Sequence, residues 1–173
     1  MGLWLTGVMS DDVHRAVHFH PERSMSCWLG ETMSVDDLEG LLGITFPNEH
    51  RAALLDPSDP IHIACDFLVP ESPHELLRLD QVNNFLHSED HPDTWPDHLI
   101  AFASNGCGDY FAYDTRETPY VIVYIDPDYG VAESLAMDDG YTFSSFPEWR
   151  DRKVQQHQAI RDGQCPGLRD AET

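Results

Sequence analysis

Between Leu99 and Ile125 the chain lays down three short β-forming segments with almost nothing between them. Leu99–Ala103 (LIAFA), Asp109–Asp114 (DYFAYD) and Tyr120–Ile125 (YVIVYI) are separated only by SNGCG and TRETP. Branched and aromatic side chains of this kind fit a pleated, half-buried surface. A parallel pairing would need a crossover of about a dozen residues or more, and these connections are far too short for one. The segments are therefore expected to form an antiparallel meander. Gly106 and Gly108 are placed in the first turn as structural residues that supply positive φ. Asp126–Gly130 (DPDYG) turns the chain again, and Val131–Met137 is read as a fourth strand. Alternation puts Tyr110, Ala112, Val121 and Val123 on one sheet face and Phe111, Tyr113, Ile122 and Tyr124 on the other. It leaves open which face is buried. If helices cover one, aromatics on the other are natural hot spots for a partner.

The half before the meander reads differently. Val35, Leu38, Leu41 and Leu42 recur at helical spacing, with Ser34 and Asp37 placed to cap the start and Gly43 to stop the end. Pro47 opens a second helix, Asn48–Leu55, and DPSDP is a turn. Ile61–Val69 (IHIACDFLV) is read as a strand, and Pro73 as the opening of a helix through Phe85. Past the meander, Ser144 or Ser145 caps a closing helix with Pro147 near its first position, and Phe146 and Trp149 are expected to face the sheet. In the first 33 residues, Asp11–Phe19 is a short helix candidate. Helices, then a meander, then a helix give an α+β fold with helices packed mainly on one face of an antiparallel sheet. The expected organisation is an N-terminal extension over 1–33, one domain over 34–153 and a polar tail over 154–173.

The charge balance narrows the function. Asp and Glu number 31 against 10 Lys and Arg, for a formal net charge of −21, and Lys153 is the single lysine. Phosphate binding needs Lys and Arg, so nucleic acid and anionic membranes are excluded as partners. A basic protein is attracted instead, and its encounter is accelerated. No apolar run is long enough to span a bilayer, and MGLWLTGVMSDDVHR lacks the basic start of a signal peptide. Cys27, Cys65, Cys107 and Cys165 include no C-x-x-C pair, which suits a reduced, cytoplasmic protein.

Catalytic patterns are not found. His14, His18 and His20 lie close together, as do His87, His91 and His98, but no H-E-x-x-H accompanies them, so no metal site and no cofactor is expected. There is no G-x-S-x-G elbow. Cys107 sits between two turn glycines, and a tight turn explains a small residue there. Asp109, Asp114, Asp126, Asp128, Asp138 and Asp139 are too many to single out an acid–base pair. They read as a solvated acidic surface. Within the meander half the acids dominate, and turns are where partners make contact. Asp114, Glu117, Asp126, Asp128, Asp138 and Asp139 are accordingly the candidate partner-binding residues.

Thr94–Asp114 (TWPDHLIAFASNGCGDYFAYD) resembles the signature of the SUKH superfamily: a proline-marked entry, a strand, a glycine turn into Gly-Asp, and an aromatic strand ending in an acid. Upstream, LEGLLGITFP (Leu38–Pro47) resembles the element that opens the family core, with Phe46 where leucine is usual. Downstream, YVIVYIDPD and YTFSSFPEWRD (Tyr141–Asp151) resemble the next strand and the closing segment. The resemblance covers roughly Val35–Lys153. It implies a compact domain without catalytic residues, and many bacterial members are immunity proteins that bind a toxin, often a nuclease or deaminase. The expectation is a non-catalytic immunity protein for a basic toxin. The alternatives are a regulatory interaction module of the same fold and, third, an enzyme built on the acidic turns or Cys107.

Overall fold

The computed structural model describes residues 33–89, 91, 94–126, 128–136 and 142–164. The chain divides after Glu31, and the architecture below is that of the unit beginning at Thr32. The helix candidate at Asp11–Phe19 lies outside the described residues.

Helix α1 (Val35–Leu42) starts where Ser34 accepts the Asp37 backbone N–H at 3.1 Å while the Asp37 carboxylate accepts the Ser34 N–H, a reciprocal capping box. It ends at Gly43, whose φ of 70° is the left-handed conformation glycine adopts without a Cβ penalty. Helix α2 (Asn48–Leu55) follows Pro47. Arg51 of α2 ties the two together, pairing with Asp36 at 2.5 Å and with Glu39.

Ile61–Val69 departs from the strand expected there. Ile61–Ala64 is a helical turn, α3, and only Asp66–Phe67 forms a strand, β1. The cause is local. The Asp59 side chain accepts the Ile61 N–H at 2.9 Å just after the α2 exit, which satisfies a first-turn donor and favours helix over the extended form that Ile61 and Ile63 suggest. The helix expected from Pro73 is a 3-10 turn at Glu75–Leu77 followed by α4 (Leu79–Leu86).

The meander is as expected. Strands β2 (Leu99–Ser104), β3 (Tyr110–Asp114) and β4 (Val121–Ile125) pair antiparallel in sequence order. β1 sits outside β2, and β5 (Thr142–Phe143) outside β4. Val131–Met137 does not become a strand. Val131–Ala136 is helix α5, whose Ser134 hydroxyl bonds the Gly130 and Asp126 carbonyls and the Asp126 N–H, folding the segment back on the end of β4. Met137 lies outside the described residues.

Helix α6 (Phe146–Arg161) is capped by Ser145, and Glu148 in its first turn accepts from Ser144. It runs unbroken to Arg161, so positions 154–161, expected in the tail, belong to the closing helix. Phe146 and Trp149 are fully buried against Phe102 and Phe111 of the sheet. Helix α2 joins them through His50, which stacks on Phe146 and hydrogen-bonds the Tyr113 hydroxyl at 2.9 Å. Burial pushes the His50 imidazole down to about 3, so it is neutral.

Helical cover is thus heaviest on the face carrying Phe111, Tyr113 and Ile122. The opposite face is closed as well: Ala112, Val123 and Ile125 are buried, α5 packs on β4, and Trp95 meets Tyr110 edge to face. Among the described residues, the strand aromatic on that second face, Tyr110, is half-buried against Trp95 and not an open hot spot.

Candidate functional site

The candidate acids hang on the ends of β3 and β4, and antiparallel pairing decides which of them meet. Asp114 closes β3 and pairs in register with Val121, the first residue of β4. Asp114 and Glu117 therefore lie at one end of the sheet. Tyr110, at the start of β3, pairs with Ile125, at the end of β4. Asp126 and Asp128 therefore lie at the other end. Five residues of strand separate the two by about 16 Å. The structure brings Asp114 together with Glu117, and Asp126 with Asp128, but does not gather all four into one patch. Asp138 and Asp139 lie outside the described residues.

At the first end, Asp114 already has a cationic partner. Arg116 grips its carboxylate with Nε at 3.0 and 3.1 Å and Nη2 at 2.5 Å, and the Arg116 N–H donates at 3.1 Å. These bonds hold the Asp114 carboxyl below the usual carboxylate range. An incoming lysine or arginine would have to compete with Arg116. Glu117 is exposed, in the same turn.

The second end is richer in acid than its sequence positions suggested. The Asp126 side chain accepts the Asp128 N–H at 2.9 Å, an Asx turn that presents Asp128 and the exposed Tyr129 outward. Asp109 adjoins Asp126 by continuation of the β3–β4 register, and its carboxylate accepts from Asn105 and from the Tyr124 hydroxyl. Asp66 of β1 pairs in register with Ser104 in the same row. Gly106 and Gly108 turn the chain here with φ of 80° and 101°, as expected of structural turn residues. At Gly106 a side chain is doubly disfavoured, because a Cβ would lie 2.9 Å from the Asp66 carboxylate. Asp66 and Asp109 were missed as members of this end. Asp66 sat inside a segment read as one long strand, and only the β1–β2 register reveals its place.

The catalytic alternatives find little support in this geometry. Cys107 is exposed in the turn, where its N–H is held by the Asn105 side chain at 2.8 Å. Among the described residues no hydrogen bond joins its thiol to a histidine. Cys65 is half-buried, and desolvation pushes its thiol up to about 12, the reverse of a nucleophile. Among the described residues no three His, Cys, Asp or Glu side chains come together in a way that could hold a metal ion. Nor is any described helix long and apolar enough to cross a membrane.

Residues 33–152 match the model of the SMI1 / KNR4 family (SUKH-1). No curated protein and no solved structure matches the chain significantly. The family match starts just before the capping box of α1 and ends within α6, so it takes in the whole sheet, helices α1 to α5 and the first part of α6. The chain belongs to the SMI1 / KNR4 family (SUKH-1).

Proposed function

We propose that this protein is a non-catalytic binding domain that neutralises a basic toxin of the nuclease or deaminase type. The observation that carries the proposal is the charge of −21 borne on a SUKH-1 domain. Enzymes that act on nucleic acid carry a basic surface because their substrate is anionic. A carboxylate-rich protein can occupy that surface in place of phosphate, with fast, salt-dependent association. The exposed Asp128, flanked by the exposed Tyr129 and with the half-buried Asp126 beside it, is the better contact. Asp114 is engaged internally by Arg116.

The test is capture of partners at low salt followed by a salt titration. A basic nuclease- or deaminase-like protein released progressively by salt, whose toxicity the chain suppresses on co-expression, is the expected result. A neutral or acidic partner whose binding ignores salt would overturn the proposal in favour of a regulatory module. Asp128→Lys is expected to weaken capture at least ten-fold while leaving the unfolding free energy within about 0.5 kcal/mol, since Asp128 is exposed.

A further inference from the structure

The hairpin turn between β2 and β3 contains a chemically labile pair. Of the four asparagines, Asn48, Asn83, Asn84 and Asn105, only Asn105 is followed by glycine. An asparagine side chain can be attacked by the backbone nitrogen of the next residue, and a glycine there puts no Cβ in the way. Asn105 and Gly106 are both exposed, so water reaches them.

The turn occupies the polar atoms that this reaction uses. The Asn105 Oδ1 accepts the Cys107 N–H at 2.8 Å and the Asp109 N–H at 3.3 Å. Its Nδ2 donates to the Asp109 carboxylate, which also accepts from the Tyr124 hydroxyl. The Gly106 N–H, the attacking group, donates to the Ser104 hydroxyl at 3.1 Å. The Asn105 N–H bonds the Asp109 carbonyl at 3.2 Å and closes the turn. Cyclisation needs the Gly106 nitrogen to come onto the Asn105 Cγ, and such a step runs only from a near-attack geometry. The side chain must first release three bonds and the Gly106 N–H one, so the turn has to open locally before the reaction can begin.

We propose that Asn105 is a deamidation site that the folded turn holds in check and that opening of the turn releases. The Gly106 nitrogen gives its proton to a solvent base and bonds to the Asn105 Cγ. The Cγ–Nδ2 bond breaks, and Nδ2 takes up a proton and leaves as ammonia. One water then opens the cyclic imide at either carbonyl, leaving aspartate or isoaspartate at position 105. Water is the co-reactant, and nothing is oxidised or reduced. Either product puts a carboxylate where Nδ2 had donated. It faces Asp109 as a like charge, and the bond that held the turn cannot re-form. The isoaspartyl form also adds a main-chain atom to a turn in which a Cβ on Gly106 would already lie 2.9 Å from the Asp66 carboxylate. A transient opening of the turn thus leaves a permanent mark and one more negative charge beside Asp109. The inference concerns this chain alone and does not depend on what the chain binds.

The test is prolonged incubation of the full chain at physiological temperature and neutral pH, with aspartate and isoaspartate at each asparagine followed by fragmentation mass spectrometry. In denaturing guanidinium, Asn105 should convert about ten-fold or more faster than Asn48, Asn83 or Asn84. In the folded chain its conversion should slow by about ten-fold or more, because the bonded turn must open first. Ser104→Ala and Asp109→Ala each remove one tie and should each raise the folded rate by about three-fold or more. Unfolding curves show whether a variant gains its rate by global unfolding, and Ser104→Ala, at the strand end, decides the matter if Asp109→Ala does. Conversion of Asn105 no faster than that of the other asparagines in guanidinium would overturn the inference, because the pair would not be labile. Equal rates in the folded and denatured chain, or a folded rate that Ser104→Ala leaves unchanged, would also overturn it, because the turn would not be the guard.

Discussion

Replacing Asn83 with alanine should remove a large part of this domain's stability. Asn83 is 2% exposed on α4, beside the outer edge of β2. Its amide donates to the Ala101 carbonyl at 2.8 Å and to the Leu79 carbonyl at 2.9 Å, and its oxygen accepts the Ala101 N–H at 2.9 Å. β1 reaches only as far as Ala103, so the Asn83 side chain stands in for a strand peptide at Ala101, next to the bulge between Ala101 and Ala103. Alanine leaves the N–H and C=O of Ala101 buried and unpaired. Each orphaned group costs about 1–3 kcal/mol, so the pair amounts to about 4 kcal/mol. A domain of this kind has about 5–15 kcal/mol in total. In guanidinium denaturation the midpoint should fall by about 1 M with the slope unchanged. Asn83→Asp separates bonding from bulk. A carboxylate still accepts the Ala101 N–H but faces the Ala101 and Leu79 carbonyls without a proton. Its folded pKa would rise above the unfolded value of about 3.9, so its penalty relative to the parent is largest at neutral pH and shrinks as pH falls toward 4. A cost for Asn83→Ala below about 1 kcal/mol, or a pH-independent penalty for Asn83→Asp, would refute the bridging role.

His50 is held neutral with a pKa of about 3 against 6.5 when unfolded, so its stabilisation is complete above pH 6.5 and is lost as pH falls from there toward 3. At pH 5 the loss is about 2 kcal/mol; it should be absent from His50→Phe, so urea titrations at several pH values should show the parent's stability falling relative to the variant by that amount between pH 7 and pH 5. Gly106→Ala should cost about 1–2 kcal/mol for its φ of 80°. A further increment from the 2.9 Å approach to Asp66 should be recovered in the double variant with Asp66→Ala, measured as a thermodynamic cycle. Lys153→Met should leave the unfolding free energy within about 1 kcal/mol, because the ammonium's position 4.1 Å above the Phe111 ring is offset by the desolvation that lowers its pKa.

The elements that were legible in the sequence are those whose local chemistry and tertiary role agree. Ser34, Asp37 and Gly43 bound α1 by caps that involve only neighbours, and the Tyr120–Ile125 run has no competitor to a strand. Ile61–Val69 and Val131–Ala136 failed for one reason. Branched residues suggested strands, while short-range bonds from Asp59 and Ser134 close helical turns that apolar spacing does not report. In VAESLA the helix-forming Ala, Glu and Leu were the available signal. The candidate site was legible as a composition and not as a place. Asp114 and Asp126 are both strand-end acids in the sequence, but only the register sets them at opposite ends, and the Arg116 grip on Asp114 needs the turn between β3 and β4. Asn83 gave no sign of its role, since an asparagine on a helix looks the same whether it faces water or a strand edge.

The chain's single lysine has a practical consequence. Lys153 lies half-buried on α6 with its ammonium over the Phe111 ring. Apart from the α-amino group, amine-directed labelling, cross-linking or enzymatic conjugation meets one shielded target on a surface crowded with acids. Carboxylate-directed chemistry therefore offers far more handles on this chain than amine chemistry, with the exposed Cys107 as a separate one. If the partner is basic, as proposed, zero-length cross-links from these carboxylates to its amines would report contacts at the groups that supply the attraction.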